Sequence, residues 1–124
     1  MFEEIRDILR ELLDVAVEEI LPQSYLVRDL GMESIDFLEL AVALNHRFRV
    51  PVQDDTVFLR NLRLHMIQTR EAGRSILEGL KDHYGFLPKE RLAAIATDLE
   101  GGPVIQVQDL MSYIQWQMTH AKAA

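Results

Sequence analysis

The sequence contains no cysteine, which excludes disulfides, cysteine nucleophiles and thiolate metal sites. Glycine and proline are scarce, at six and four of 124 residues, so little interrupts a chain rich in helix-favouring residues. No apolar run approaches the roughly 20 residues that a membrane-spanning helix needs. The first residues, Met1-Phe2-Glu3-Glu4, lack the basic-then-apolar pattern of a signal peptide, and a cytoplasmic location is expected. Positive charge is also short: 13 Lys and Arg stand against 20 Asp and Glu, a net of −7, which argues against nucleic acid as a partner. Paired carboxylates, a phosphate loop and an HExxH motif are missing. His46, His65, His83 and His120 lie far apart with no metal-ligand spacing; no metal site is expected, and each imidazole is expected at the surface.

What remains has the balance of one small globular domain: 48% hydrophobic, 27% charged. The charge is uneven. Residues 1–50 hold five Arg and eleven acids, residues 51–124 eight basic residues and nine acids, so the first part presents an acidic surface that steers basic partners. Ile5, Ile8, Leu9, Leu12, Leu13 and Ala16 recur at helical spacing and predict a helix from about Glu3 to Ile20, closed by Leu21-Pro22. A loop with Gly31 as its turn residue follows. A second helix is expected to begin at Ser34, a favoured N-cap residue type, with Asp36 and Glu39 near its positive end. Leu38, Ala41, Leu44 and Phe48 give it a buried stripe, and Val50-Pro51-Val52 ends it. Residues 55–66 suggest one short helix. A longer helix is predicted over about 69–84, with Ile76, Leu77 and Leu80 apolar and Gly85 as its stop. Pro88 opens another, carrying Leu92, Ile95, Ala96 and Leu99, and Gly101-Gly102-Pro103 breaks the chain. A last helix covers about 107–119, where Tyr113 and Trp116 read as helix packing or an interface. Val104-Ile105-Gln106-Val107 alternates too briefly to found a sheet. The fold class is all-α.

The informative stretch is Asp29-Leu30-Gly31-Met32-Glu33-Ser34-Ile35-Asp36-Phe37-Leu38-Glu39-Leu40. It resembles the prosthetic-group attachment segment of acyl carrier proteins, in which Asp-Leu-Gly and a spacer precede Asp-Ser-Leu and an acidic helix. Residues 41–52, through Phe48 to Val50-Pro51-Val52, resemble that family's second helix and its exit, and residues 107–114 its last helix. The resemblance covers residues 1–53 and about 104–118. It implies a four-helix carrier-type bundle with extra helices inserted between the second and last, in a single domain over 1–124 with the insertion at about 54–103.

The same resemblance implies that Ser34 carries 4'-phosphopantetheine, installed from coenzyme A by a phosphopantetheinyl transferase, with Glu33 and Asp36 assisting. A serine at a helix mouth suits a phosphodiester, since free N–H groups and the helix dipole both favour an anion. The thiol that the sequence itself lacks would come from this arm. The expected function is to tether acyl intermediates as thioesters for fatty acid, lipid or polyketide-type synthesis, without catalysis by the chain. Acyl-loading, synthase and acyltransferase enzymes are the implied partners, docking on Ile35, Asp36, Glu39 and Val42. Leu38, Ala41, Leu44 and Phe48 are the candidate acyl-pocket lining, and equally ordinary core. Asn45, His46, Arg47 and Arg49 replace the usual acidic continuation of this helix and suggest dedicated partners. A peptidyl or aminoacyl carrier, and an unmodified carrier-like interaction module, are the alternatives. The inserted segment, with Arg70 and Arg74 expected on one helix face and Arg60 and Arg63 similarly placed before them, either lids a larger acyl pocket, recognises a partner, or is a solvated elaboration.

Overall fold

The computed structural model describes residues 1–123 as seven α-helices and two short 3-10 turns, with no strand among them. Helix α1 (Phe2–Leu13) forms where Ile5 and Leu9, one turn apart, drop into the core. It stops about two turns short of the expected end at Ile20. Beyond Leu13 the pattern offers only Ala16, which stays exposed, and Asp14 adopts the left-handed conformation (φ 53°) that Asp tolerates better than most residues. A 3-10 turn at Val17–Glu19 then delivers Ile20 into the core.

Helix α2 (Ser34–Phe48) begins and ends as expected, but its buried face is rotated. Leu40, Ala41 and Leu44 are buried, with Phe37 and Phe48 half-buried beside them. Leu38, expected in the stripe, is 53% exposed. Phe37, Leu40, Leu44 and Phe48 also fall at three- and four-residue spacing, and the larger aromatic wins the inward position. After a single turn of helix, α3 (Asp54–Val57), come α4 (Leu62–Glu71), α5 (Ile76–His83) and α6 (Lys89–Thr97). The helix predicted over 69–84 is thus two. Gly73 turns left-handed (φ 74°), and the Ser75 hydroxyl accepts the Glu78 N–H to start α5. This break takes Arg74 off the face of Arg70, and Arg74 instead pairs with Asp82 and Glu78. Arg60 lies in the turn before α4, which Arg63 enters. Leu77 is exposed, and Pro88 caps α6 rather than sitting inside it.

Helix α7 (Val107–Ala123) completes the molecule. Its Leu110, Tyr113 and Ile114 are fully buried in the core that contains Ile5, Leu9, Leu40 and Leu44. The loop before α2 and the segment before α7 pair through one antiparallel bridge, Tyr25 with Gln106, closed by Leu26 N–H to Ile105 O and Val107 N–H to Ser24 O, both 3.0 Å. That bridge accounts for the short alternation at 104–107. Helices α4, α5 and α6 stack on one another and join the same core through Met66, Leu80 and Ile95. Buried Arg91 on α6 grips buried Asp109 on α7 through two hydrogen bonds of 2.8 and 3.0 Å. His46, His83 and His120 are exposed, but His65 is half-buried, stacked flat on His83 with ring centroids 3.7 Å apart. Tyr113 and Trp116 pack within an aromatic group that includes Phe86.

Candidate functional site

The turn that presents Ser34 is built by its neighbours. Tyr25 N–H donates to the Asp29 carboxylate (2.8 Å), Gly31 turns left-handed (φ 71°), and buried Leu30 and Met32 anchor the loop. Glu33 occupies the cap position of α2, so Ser34 is the first helical residue rather than the cap expected from its type. Glu33 N–H donates to Asp36 Oδ2 at 2.8 Å, one half of a capping box. The consequence is chemical. With Asp36 serving the cap, the exposed Ser34 hydroxyl carries no hydrogen bond to any described residue, and it sits at the positive end of a helix of 15 residues. A free hydroxyl at such an end can accept a phosphodiester without losing a native contact.

Two surfaces meet at Ser34. The first is a strip of exposed residues along α2: Ile35 (61%), Leu38 (53%) and Val42 (70%), with exposed Glu39 alongside. Among the residues expected to dock partners, Ile35, Glu39 and Val42 therefore share the solvent face with Ser34. Asp36 is half-buried and engaged in the cap. Leu38 joins this face, so its expected place in an acyl pocket is corrected: successive residues of a helix lie 100° apart, and Leu38 is on the wrong side.

The second surface is a cleft of about 420 Å³ whose lining includes Ser34. Its walls are mostly apolar and include Phe37 of α2, Phe58, Leu62 and Leu64 around the start of α4, and Leu99. The Phe37 and Phe58 rings meet at 4.8 Å between centroids. Ala41, Leu44 and Phe48, the other candidate pocket residues, belong to the core and do not line this cleft. Ser34 was expected here, and Arg60 and Arg63 belong to the inserted segment offered as a lid, but Val27, Leu99 and Val104 were not expected to join them, because they come from separate stretches of chain. Phe37 did carry a local signal, its spacing to Leu40 and Leu44.

Electrostatically the site is split. Glu33, Asp36 and Glu39 mark the start of α2, while Arg60 and Arg63 are among the residues that line the cleft. Among the described residues no group of three His, Asp or Glu is placed to hold a metal ion, and no helix is long and apolar enough to cross a membrane.

Comparison with known proteins covers the segment that contains this site. The family described as "phosphopantetheine attachment site" matches residues 3–63. An acyl carrier protein of Helicobacter pylori (strain J99) is 34% identical over 55 residues, covering 44% of this chain and 70% of that protein. One from Campylobacter fetus subsp. fetus is 37% identical over 54 residues, with 44% and 70% covered. Another, from Campylobacter hominis, is 39% identical over 54 residues, with 44% and 68% covered. No solved structure matches. The family match takes in α1, α2, α3 and the first residues of α4.

Proposed function

This chain belongs to the acyl carrier protein family, which holds 4'-phosphopantetheine covalently, and from that premise we propose that Ser34 is the attachment residue. The observation that carries the reading is the coincidence at one side chain of three properties: exposure, a hydroxyl unclaimed by any described residue, and a place on both the apolar strip and the cleft. These suit the group. Its phosphodiester would lie at the start of α2, and its pantetheine could extend along either surface. When bound, the group supplies a terminal thiol on which acyl cargo is held as a thioester.

In this reading the chain's own residues position and shield, and do not catalyse. Asp36 fixes the cap, so that Ser34 projects into solvent where a phosphopantetheinyl transferase can reach it. Glu33, exposed beside it, is the acid closest in sequence for that enzyme's metal ion. No described imidazole or carboxylate hydrogen-bonds to the Ser34 hydroxyl, which supports modification by another enzyme over self-activation. Ile35, Leu38, Glu39 and Val42 form the contact face for the transferase and for acyl-loading, synthase and acyltransferase enzymes of the cytoplasm. The exposed apolar strip is the part of that face that gains most from being covered. The apolar cleft favours acyl cargo over aminoacyl cargo, and so a lipid or polyketide-type pathway over a peptide one.

Incubation with coenzyme A and a broad-specificity transferase tests the assignment by intact mass. A gain of one phosphopantetheinyl group is expected in the native chain and not in Ser34→Ala. An equal gain in the variant would move the site elsewhere. No gain in either, from a transferase active on a control carrier, would favour an unmodified docking module.

A further inference from the structure

The cleft beside Ser34 is not made by the carrier portion alone. Leu64, Leu99, Gly102, Pro103 and Val104, all outside the stretch matched to the family, complete its lining. The residues around Leu99 are also held with unusual care. Arg28, from the loop before α2, donates to both Asp98 carboxylate oxygens (3.1 and 2.9 Å), to Asp98 O (3.2 Å) and to Gly102 O (2.9 Å). Tyr25 Oη donates to the same carboxylate at 2.8 Å, and the Arg28 guanidinium lies over the Tyr25 ring at 4.4 Å. Gly101 lies against this clamp: a Cβ there would come within 2.9 Å of Arg28 Nη2 and Asp98 Oδ1 and push on both. From the other side, Arg63 Nη2 donates to Leu99 O at 3.2 Å. A solvated elaboration does not need its connecting strap fixed from two directions. A wall does.

We propose that Leu99 and Leu64 are the far wall of the cargo cleft and set which acyl chains this carrier shields. The proposal rests on the carrier reading above and deepens it. Ser34 lines the same cleft, so cargo on its arm reaches the wall when the pantetheine folds back. The lining is predominantly hydrocarbon, which selects an apolar chain. At about 30 Å³ per water-sized group, the volume accommodates on the order of ten such groups, a finite limit that the two leucines define. Arg28 and Asp98 act as positioning residues, since they reach the cargo only through the strap they hold.

The test reads protection of the thioester. The holo-protein, loaded with a series of straight-chain acyl groups from short to long, is treated with hydroxylamine and the cleavage rates are compared. Cleavage should slow as chains lengthen and seat, up to a limit. Leu99→Trp and Leu64→Trp should shorten that limit and speed cleavage of the longer chains about tenfold, the change expected when roughly two methylenes leave an apolar site. Short chains should be unaffected. Leu64 is 52% exposed, so its variant keeps the test valid if Leu99→Trp folds poorly. Cleavage that ignores chain length in the native protein would overturn the proposal, as would a length limit that neither variant moves. If Ser34 takes no arm, the carrier reading is what fails. Synthetic acyl-pantetheine titrated onto the unmodified protein then decides the wall by itself: methyl shifts at Leu64 and Leu99 that depend on chain length support it, and their absence overturns it.

Discussion

The two halves of the architecture are held together in different ways. Helices α1, α2 and α7 share a core of aliphatic side chains, with Ile5, Leu9, Leu40, Leu44, Leu110 and Ile114 all fully buried. The stack of α4, α5 and α6 shares that core but adds directional contacts: the Arg91–Asp109 pair, the Arg28–Asp98 clamp, the His65–His83 stack, and the approach of Gly79 to Thr69. Hydrophobic packing is tolerant of small slips, whereas a bidentate ion pair admits one geometry. The contrast teaches that the added helices are oriented as well as attached. Orientation matters if a strap leading out of them forms a wall beside Ser34.

Breaking the most buried of those directional contacts should have the largest effect. Asp109 is 0% exposed, so Arg91→Met strands a carboxylate that also accepts the Gln106 N–H. A loss of about 3–5 kcal/mol is expected in chemical denaturation; a loss no greater than that of an ordinary surface substitution would mean the pair is dispensable. Gly79→Ala comes next. Its new Cβ would overlap the Thr69 side chain where α5 crosses α4, at a cost of about 1–3 kcal/mol for overpacking. Restoration of stability in Gly79→Ala/Thr69→Ala would sharpen the assignment to that contact, and no restoration would refute it. Asp36→Ala, on the carrier side, should remove about 1 kcal/mol of cap stability and fray the turn that presents Ser34. Amide exchange at residues 33–37 measures this, and unchanged protection there would count against the cap as the device that frees the hydroxyl.

The smallest effect concerns pH. Burial first, and neighbouring His83 second, hold the His65 imidazole below its ordinary value of 6.5. The folded chain therefore binds that proton more weakly than the unfolded chain. Stability from this site is complete above pH of about 6.5 and declines as pH falls from there through the lowered folded value. Denaturation midpoints of the native protein should drop on mild acidification more than those of His65→Gln. Equal drops would show that the stack does not sense protons.

How far the sequence reached differs between the same two halves. Around Ser34 it was legible, because a start signal, a helix and its exit are contiguous there. What failed was a rotation: Leu38 and Phe37 are adjacent and both apolar, each at helical spacing to other apolar residues, and it is Phe37 that turns inward to meet Phe58. In the added helices the residues that mattered were quiet ones. Gly73 split a predicted helix by its left-handed turn, and the Ser75 cap restarts it; Ile76 and Leu80, whose spacing suggested the longer helix, both fall in the second piece. Arg28 and Asp98 carried no local pattern at all, and Gly101 read only as part of a chain break. Their meaning arises from pairing across some seventy residues of chain, which periodicity cannot express. Asp14 similarly ended α1 by a left-handed turn before the expected helix end at Ile20.

The central claim, that Ser34 bears the prosthetic arm, is tested most directly on protein isolated from its native cells. Trypsin should release residues 29–47 as one peptide, since no Lys or Arg lies between Arg28 and Arg47. Tandem mass spectrometry of that peptide should place a phosphopantetheinyl group on Ser34, with any acyl cargo at its end. An unmodified peptide from cells whose other carriers are fully charged, or an arm on a different serine, would contradict the account.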